Sequence, residues 1–170
     1  MKIADLLLLD FDSEISNTRR TLERVPEGSN DWSPHAKSMH LGKLAMHCAT
    51  LPIFGHYIIE DEGMDLAAPK RPHIPLDFTT REAALERLED AASKCRASLA
   101  AASDEHLAQH WRFTWGEQLI SDAPRYTAFR GMFFNHMVHH VAQLGVYLRL
   151  NDIPVPALYG PSADEQWTPK

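Results

Sequence analysis

Cysteine is scarce in this sequence: the 170 residues contain only Cys48 and Cys95, which form no CxxC motif. Two thiols that far apart predict neither a disulfide framework nor a cysteine-based zinc site. We expect both to be reduced and buried in the core, where cysteine packs as a small apolar residue. The length suits a single domain over residues 1–170, which can bury a core without covalent cross-links.

Positive charge is also scarce. Lysine and arginine number 17 against 23 aspartates and glutamates, and the formal net charge at pH 7 is −6. Nucleic acids and anionic membranes both attract basic surfaces, so the composition predicts a partner of neither kind. An apolar run near the N-terminus, Leu6 to Leu9, is bracketed by Asp5 and Asp10 and is too short for a signal sequence or a membrane span. A cytoplasmic location is the default expectation.

Long apolar stretches are missing, but apolar residues recur every three to four positions in four segments, which predicts four amphipathic helices. These segments are, in round numbers, residues 3–24, 39–60, 79–103 and 124–150. Ser38 is the expected N-cap of the second helix, and Pro52 is expected to kink or end it. Pro124 fits the first turn of the fourth helix, with Ser121 or Asp122 as its cap.

Two stretches between these helices differ from ordinary loops. Residues 61–78 are rich in proline and glycine and too long for a simple turn, so we expect a crossover connection or a functional flap. In residues 110–120, Trp111, Phe113 and Trp115 alternate before a glycine, which predicts a short hairpin or an ordered loop. The four helices and the long connection between the second and the third predict an all-α fold, a four-helix bundle with a crossover.

Histidine is the residue that this sequence has in excess, with ten in the chain. His136 and His140 lie four residues apart in the fourth predicted helix, so their imidazoles share one face about 5–6 Å apart and can bind one metal ion. Two histidines can share a face without any function, and HMVHH lacks the glutamate of the HExxH motif. His47, however, occupies a core-facing position of the second helix, where an imidazole without a partner is costly. We predict a metal site formed by His47, His136 and His140.

Three further residues are candidates to complete or orient this site. His139 could replace His140 as a ligand, or it could lie behind the ligands or at the surface. Glu14 falls at a core-facing position of the first helix, where its carboxylate could complete the coordination of the metal or orient a ligand; the alternative is a helix-flank residue paired with an arginine. Gln143 is the third candidate to orient a ligand.

Three segments carry the most specific pattern in the sequence: SNTRRTLERVPEGSNDWSPHAKSMHLGKLAMH, DAPRYTAFRGMFFNH and NHMVHHVAQLGVYLRLNDIPVPALYGPSADE. They are similar to the first, second and fourth helices and to the C-terminal signature of the DinB-like, DNA-damage-inducible family of metal-binding four-helix bundles. The family's helix-two histidine matches His47, and its HxxxH pair matches His136 and His140. Where close relatives read HHRGQL, this sequence has Val141 and Ala142 in place of the arginine and the glycine.

The resemblance implies a topology, a metal and a class of chemistry. It implies a bundle with up-down-down-up topology, in which the three matched histidines hold nickel, zinc or a similar ion. It also implies a homodimer. Characterised relatives include transferases and isomerases that use low-molecular-weight thiols.

The predicted function depends on the site being open. Three neutral histidines leave coordination positions free, whereas structural zinc sites usually fill all four. An open site suits Lewis-acid catalysis on a small-molecule substrate, and imidazole ligands favour zinc, nickel, iron or copper over magnesium or calcium. We predict a metal-dependent enzyme, a small-thiol S-transferase or a hydrolase. The alternative is a non-catalytic, metal-stabilised stress-response or binding protein that acts as a dimer.

Overall fold

A computed structural model describes residues 1–28 and 30–166 of the chain. The described residues are mostly helical and include a small three-stranded sheet. The helices are α1 (Ile3–Leu22), α2 (Leu41–Glu60), α3 (Arg81–Ala101), α4 (Asp104–Ala108), α5 (Arg125–Ala128) and α6 (Asn135–Leu150), and a π-helical segment (Phe129–Phe134) joins the last two. The strands are β1 (Gly63–Asp65), β2 (His110–Trp115) and β3 (Gln118–Pro124).

The sheet shows that the all-α prediction is wrong. β2 and β3 form an antiparallel hairpin, and its turn contains Gly116 at a φ of +55°, which glycine adopts without strain. β1, which comes from the connection after α2, pairs in parallel with β2. A bulge between Phe113 and Thr114 interrupts the alternation. Trp111 is fully buried, whereas Trp115 at the end of β2 is 59% exposed.

α2 begins later than the sequence predicts, and it does not end at its proline. His40 is the N-cap and the helix starts at Leu41, so Ser38 is not the cap. Pro52 lies inside the helix and is buried. Proline removes one backbone hydrogen bond, but α2 packs against α3, α6 and the π-helical segment, and this burial offsets the loss.

The fourth helical region differs from the prediction at its start and in its middle. Ser121 and Asp122 lie in β3 and cap no helix, because the hairpin continues to Pro124, which is the N-cap of α5. The π-helical segment then widens the helix before α6 begins. Phe133 and Phe134, although adjacent in sequence, are both buried.

Close helix contacts define the core around α2. A Cβ at Gly55 would lie 2.8 Å from the Cys95 Sγ of α3 and 2.8 Å from the Phe133 ring. Only a glycine lets the three segments approach this closely. From the other side, Phe11 of α1 packs against Phe133 and Phe134, with ring centroids 6.1 and 6.4 Å apart.

Ion pairs tie α1 to its neighbours. Arg19 pairs with Glu89 of α3. Asp12 pairs with Arg96, which is also in α3. Asp10 pairs with Arg130 of the π-helical segment. These pairs are about half exposed, so each adds at most about 1 kcal/mol. They fix which ends of the helices lie side by side.

The C-terminal segment lies over α1 and α6. Arg20 of α1 donates a hydrogen bond to the Ala157 carbonyl at 2.6 Å, and Glu165 pairs with both Arg20 and Arg24. Residues 167–170 lie outside the described ranges. No helix within residues 1–28 and 30–166 combines the length and the apolar character needed to cross a membrane.

Candidate metal centre

Three histidines from two helices meet between α2 and α6. His47 lies in the first half of α2, and His136 and His140 lie one turn apart near the start of α6. The ring centroids are 5.1 Å apart for His47–His136, 4.5 Å for His47–His140 and 4.6 Å for His136–His140. One ligand nitrogen from each ring lies within 4.8 Å of the other two. The spacing that the sequence predicts is thus present, and α2 brings His47 to the pair.

The geometry of this cluster fits a transition-metal ion. Tetrahedral coordination with metal–nitrogen bonds of about 2.0–2.1 Å places ligand nitrogens roughly 3.3–3.4 Å apart. The Nε2 atoms of His47 and His136 are 3.3 Å apart. Among the described residues, no fourth histidine, cysteine, aspartate or glutamate joins the group. The described residues therefore offer three nitrogen atoms that fit one ion, with no fourth ligand from these residue types.

The electrostatics of the cluster favour neutral imidazoles. Burial, followed by the nearby His140, His136 and Lys43, lowers the pKa of His47 to about 4. Burial is also the main cause that lowers the pKa of His136 and of His140 below the usual value. A metal binds only the deprotonated imidazole. Protons therefore compete weakly for these nitrogens at neutral pH.

Gln143, the third candidate from the sequence, forms a hydrogen bond with the His140 ring. The Nδ1–H of His140 donates a hydrogen bond to Gln143 Oε1 at 2.7 Å. With the proton held on Nδ1, the Nε2 lone pair of this ring is available to a metal. The hydrogen bond therefore selects both the tautomer and the ring orientation.

Replacing Gln143 by alanine is expected to lower the affinity for zinc by about 10–100-fold, because hydrogen bonds of this type typically contribute that much. Competition with a chromogenic chelator measures the change. Gln143→Glu is the matched control, since it keeps an acceptor at the same place and should bind zinc no more weakly than the native protein. Equal losses in the two variants would contradict the proposed role of the hydrogen bond.

The other two residues that the sequence singled out lie apart from the ligand nitrogens. His139 is exposed, and its ring stands 4.9 Å from that of His140. Glu14 is half-buried on α1 and accepts a hydrogen bond from the Tyr159 hydroxyl. Within residues 1–28 and 30–166, Glu14 joins neither the metal-ligating group nor an ion pair with an arginine. Its predicted partner was wrong because the C-terminal segment, which folds back over α1, supplies a tyrosine.

Two residues on the His47 side of α2 were not singled out by the sequence. Lys43 lies one turn before His47, and Thr50 lies one turn after it. Thr50 is 8% exposed, and its Oγ1 has no hydrogen-bond partner among the described residues. By contrast, Thr18 and Thr21 donate to the carbonyl four residues earlier in α1. Because Lys43 and Thr50 lie four residues before and three residues after His47, helical spacing from that histidine would have identified both of them.

The two cysteines are free and buried, as predicted. Burial raises the pKa of the Cys48 thiol to about 12 and raises that of Cys95 as well. A thiol with a raised pKa remains protonated at neutral pH and is a poor nucleophile. The chain's own cysteines are therefore structural.

Comparisons with known proteins agree on the family. The family model described as DinB superfamily matches residues 10–144, a range that contains His47, His136 and His140. No curated protein matches the chain. A crystal structure of a DinB-like protein from Bacillus cereus is 18% identical, with a TM-score of 0.63, and the match covers 89% of this chain and 95% of that one. A DinB-like protein (YjoA) from Bacillus subtilis is 19% identical, with a TM-score of 0.65 and coverage of 97% and 99%. The chain belongs to the DinB superfamily.

Proposed function

We propose that the chain binds one nickel or zinc ion through His47, His136 and His140 and acts as a metal-dependent enzyme, a small-thiol S-transferase or a hydrolase. The observation that carries this proposal is the group of three neutral imidazoles with no fourth protein ligand among the described residues. Structural zinc sites are usually closed by four protein ligands, whereas catalytic sites keep a position open. The open site also weighs against the alternative of a purely metal-stabilised binding protein.

The chemistry of the proposed reaction follows from the open position. A divalent ion held there supplies Lewis acidity to a small ligand. In the transferase reaction, the thiol sulfur forms a bond to an electrophilic carbon, the leaving group departs with the bonding electron pair, and the thiol proton passes to solvent. The chain's residues hold the imidazoles in place: α6 fixes the spacing of His136 and His140, and Gln143 fixes the tautomer of His140.

The test is a pair of turnover assays on protein loaded with zinc or nickel: conjugation of small thiols to a chlorodinitrobenzene, and hydrolysis of a nitrophenyl ester. His140→Ala is expected to lower turnover by ~100-fold or more, because losing a hydrogen bond to a ligand already costs about 10–100-fold. His139→Ala, one position away and exposed, should retain turnover. If fully loaded native protein turns over no faster than His140→Ala in either assay, the enzymatic proposal fails and the non-catalytic alternative replaces it.

We also propose that the fold is a single-domain four-helix bundle with up-down-down-up topology. The ion pairs Arg19–Glu89 and Asp12–Arg96 support antiparallel α1 and α3. The close contacts of Gly42 with Phe78 and of Gly55 with Cys95 support parallel α2 and α3. His47 meets His136 and His140, whereas Gly55, later in α2, meets Phe133, earlier in the chain, and this reversed order supports antiparallel α2 and α6. The homodimer and the cytoplasmic location stay predictions.

A further inference from the structure

We infer that the substrate of the proposed metal site carries an anionic group, which Lys43 binds in the cavity beside the first turns of α2. This inference rests on the proposed function, because it assumes that the metal holds the reacting end of the same molecule. The substrate class is then small anionic molecules, and Lys43 is the residue that positions them.

A cavity of about 630 Å³ lies beside the first turns of α2. Its lining includes Asn30, His40, Lys43, His73, Asp77 and Phe78. The volume is in the range of small-molecule sites. Gly42 lets Phe78 and Asn30, two residues of the cavity lining, pack directly against α2. A Cβ at Gly42 would lie 2.8 Å from the Phe78 Cβ and 3.0 Å from the Asn30 Cβ.

Lys43 lies on α2 between this cavity and His47. It lines the cavity and precedes His47 by four residues, so both side chains lie on the same side of α2. None of the ion pairs formed within residues 1–28 and 30–166 includes Lys43. An exposed cation without a carboxylate partner beside an open coordination position is suited to bind an anionic ligand.

The remaining polar groups of the cavity fix the orientation of such a ligand. Asp31 and Asp77 also line the cavity and repel an anion, so we place the anionic group beside Lys43. Asn30 Oδ1 is buried and has no hydrogen-bond partner among the described residues. It is an acceptor for a hydrogen-bond donor of the ligand.

The test compares mercaptopropionate with its neutral amide on cobalt-loaded protein, with binding measured from the visible absorption of the cobalt. We expect the acid to bind about tenfold more tightly than the amide at low salt, since a hydrogen bond to a charged group contributes that much. Lys43→Met should remove this difference, and Lys43→Arg should restore most of it. Lys94→Met is the matched control: Lys94 is an exposed lysine of α3 that pairs with Asp90, and its loss should leave the difference intact.

Cobalt content and affinity separate this inference from the proposed function. Lys43→Met should bind cobalt at least as tightly as the native protein, because Lys43 repels a cation, whereas a merely structural role would weaken binding. Native protein that holds no cobalt contradicts the proposed function. Native protein that holds cobalt but binds acid and amide equally overturns the role of Lys43. In metal-free protein, millimolar acid should shift the Gly42 and Phe78 amide resonances, and it should not shift them in Lys43→Met.

Discussion

Replacing His136 and His140 together by alanine is expected to abolish stoichiometric metal binding. Native protein reconstituted with zinc or nickel should hold about one ion per chain, because the three imidazoles fit one coordination sphere. The double variant keeps only His47, and its affinity should fall by more than ~1000-fold, given that one orienting hydrogen bond is worth about 10–100-fold. Elemental analysis after dialysis measures the metal content.

Thermal unfolding gives a second measure of the same loss. A ligand that binds only the folded state stabilises it by about 2.7 kcal/mol at 100 times its Kd. Zinc should therefore raise the Tm of the native protein and leave that of the double variant unchanged. His139→Ala removes an exposed imidazole from the same helix turn and should keep both the ion and the shift in Tm. Full metal content in the double variant would place the ion elsewhere in the chain.

The parts of this site that sequence could predict are those set by spacing along one helix. His136 and His140 share a face because the helix repeats every 3.6 residues. The same periodicity places His47 on the face of α2 that points toward the protein core. Gln143 is one turn from His140, so its hydrogen bond is also a local feature. The position of Lys43 one turn before His47 is also set by the helix repeat. Exposed lysines are common on helices, however, and only the cavity beside Lys43 marks it as a candidate binding residue.

The features that sequence reasoning missed depend on contacts between distant segments. β1 is only three residues long, and its pairing with β2 joins Gly63 to Arg112. No periodicity can indicate such a short strand. Glu14 meets Tyr159, a residue of the C-terminal segment. The π-helical segment lies where Phe133 and Phe134 pack against Phe11 of α1, and Phe129 meets Phe133 in edge contact at 4.9 Å. Local propensity does not encode these arrangements, because tertiary packing decides them.

Replacing Trp111 by alanine is expected to destabilise the protein by about 3–5 kcal/mol, the usual cost of truncating a buried aromatic side chain. Trp111 is fully buried. Its ring stacks on Phe113 at 5.7 Å and meets Phe54 of α2 edge-on at 6.1 Å. The indole Nε1 has no hydrogen-bond partner among the described residues, so the loss comes from packing alone. Urea unfolding of the metal-free protein measures it.

Trp115 provides a matched control from the same strand. It lies beyond the bulge and is 59% exposed, so Trp115→Ala should change the free energy of unfolding by no more than about 0.5 kcal/mol. Phe54 lies two helical turns from His47 on the same side of α2. The cavity left by Trp111→Ala should therefore also loosen α2, the helix that carries His47. We expect zinc affinity to fall in Trp111→Ala and to stay unchanged in Trp115→Ala. Unchanged zinc affinity in both variants would mean that the hairpin does not support the metal centre.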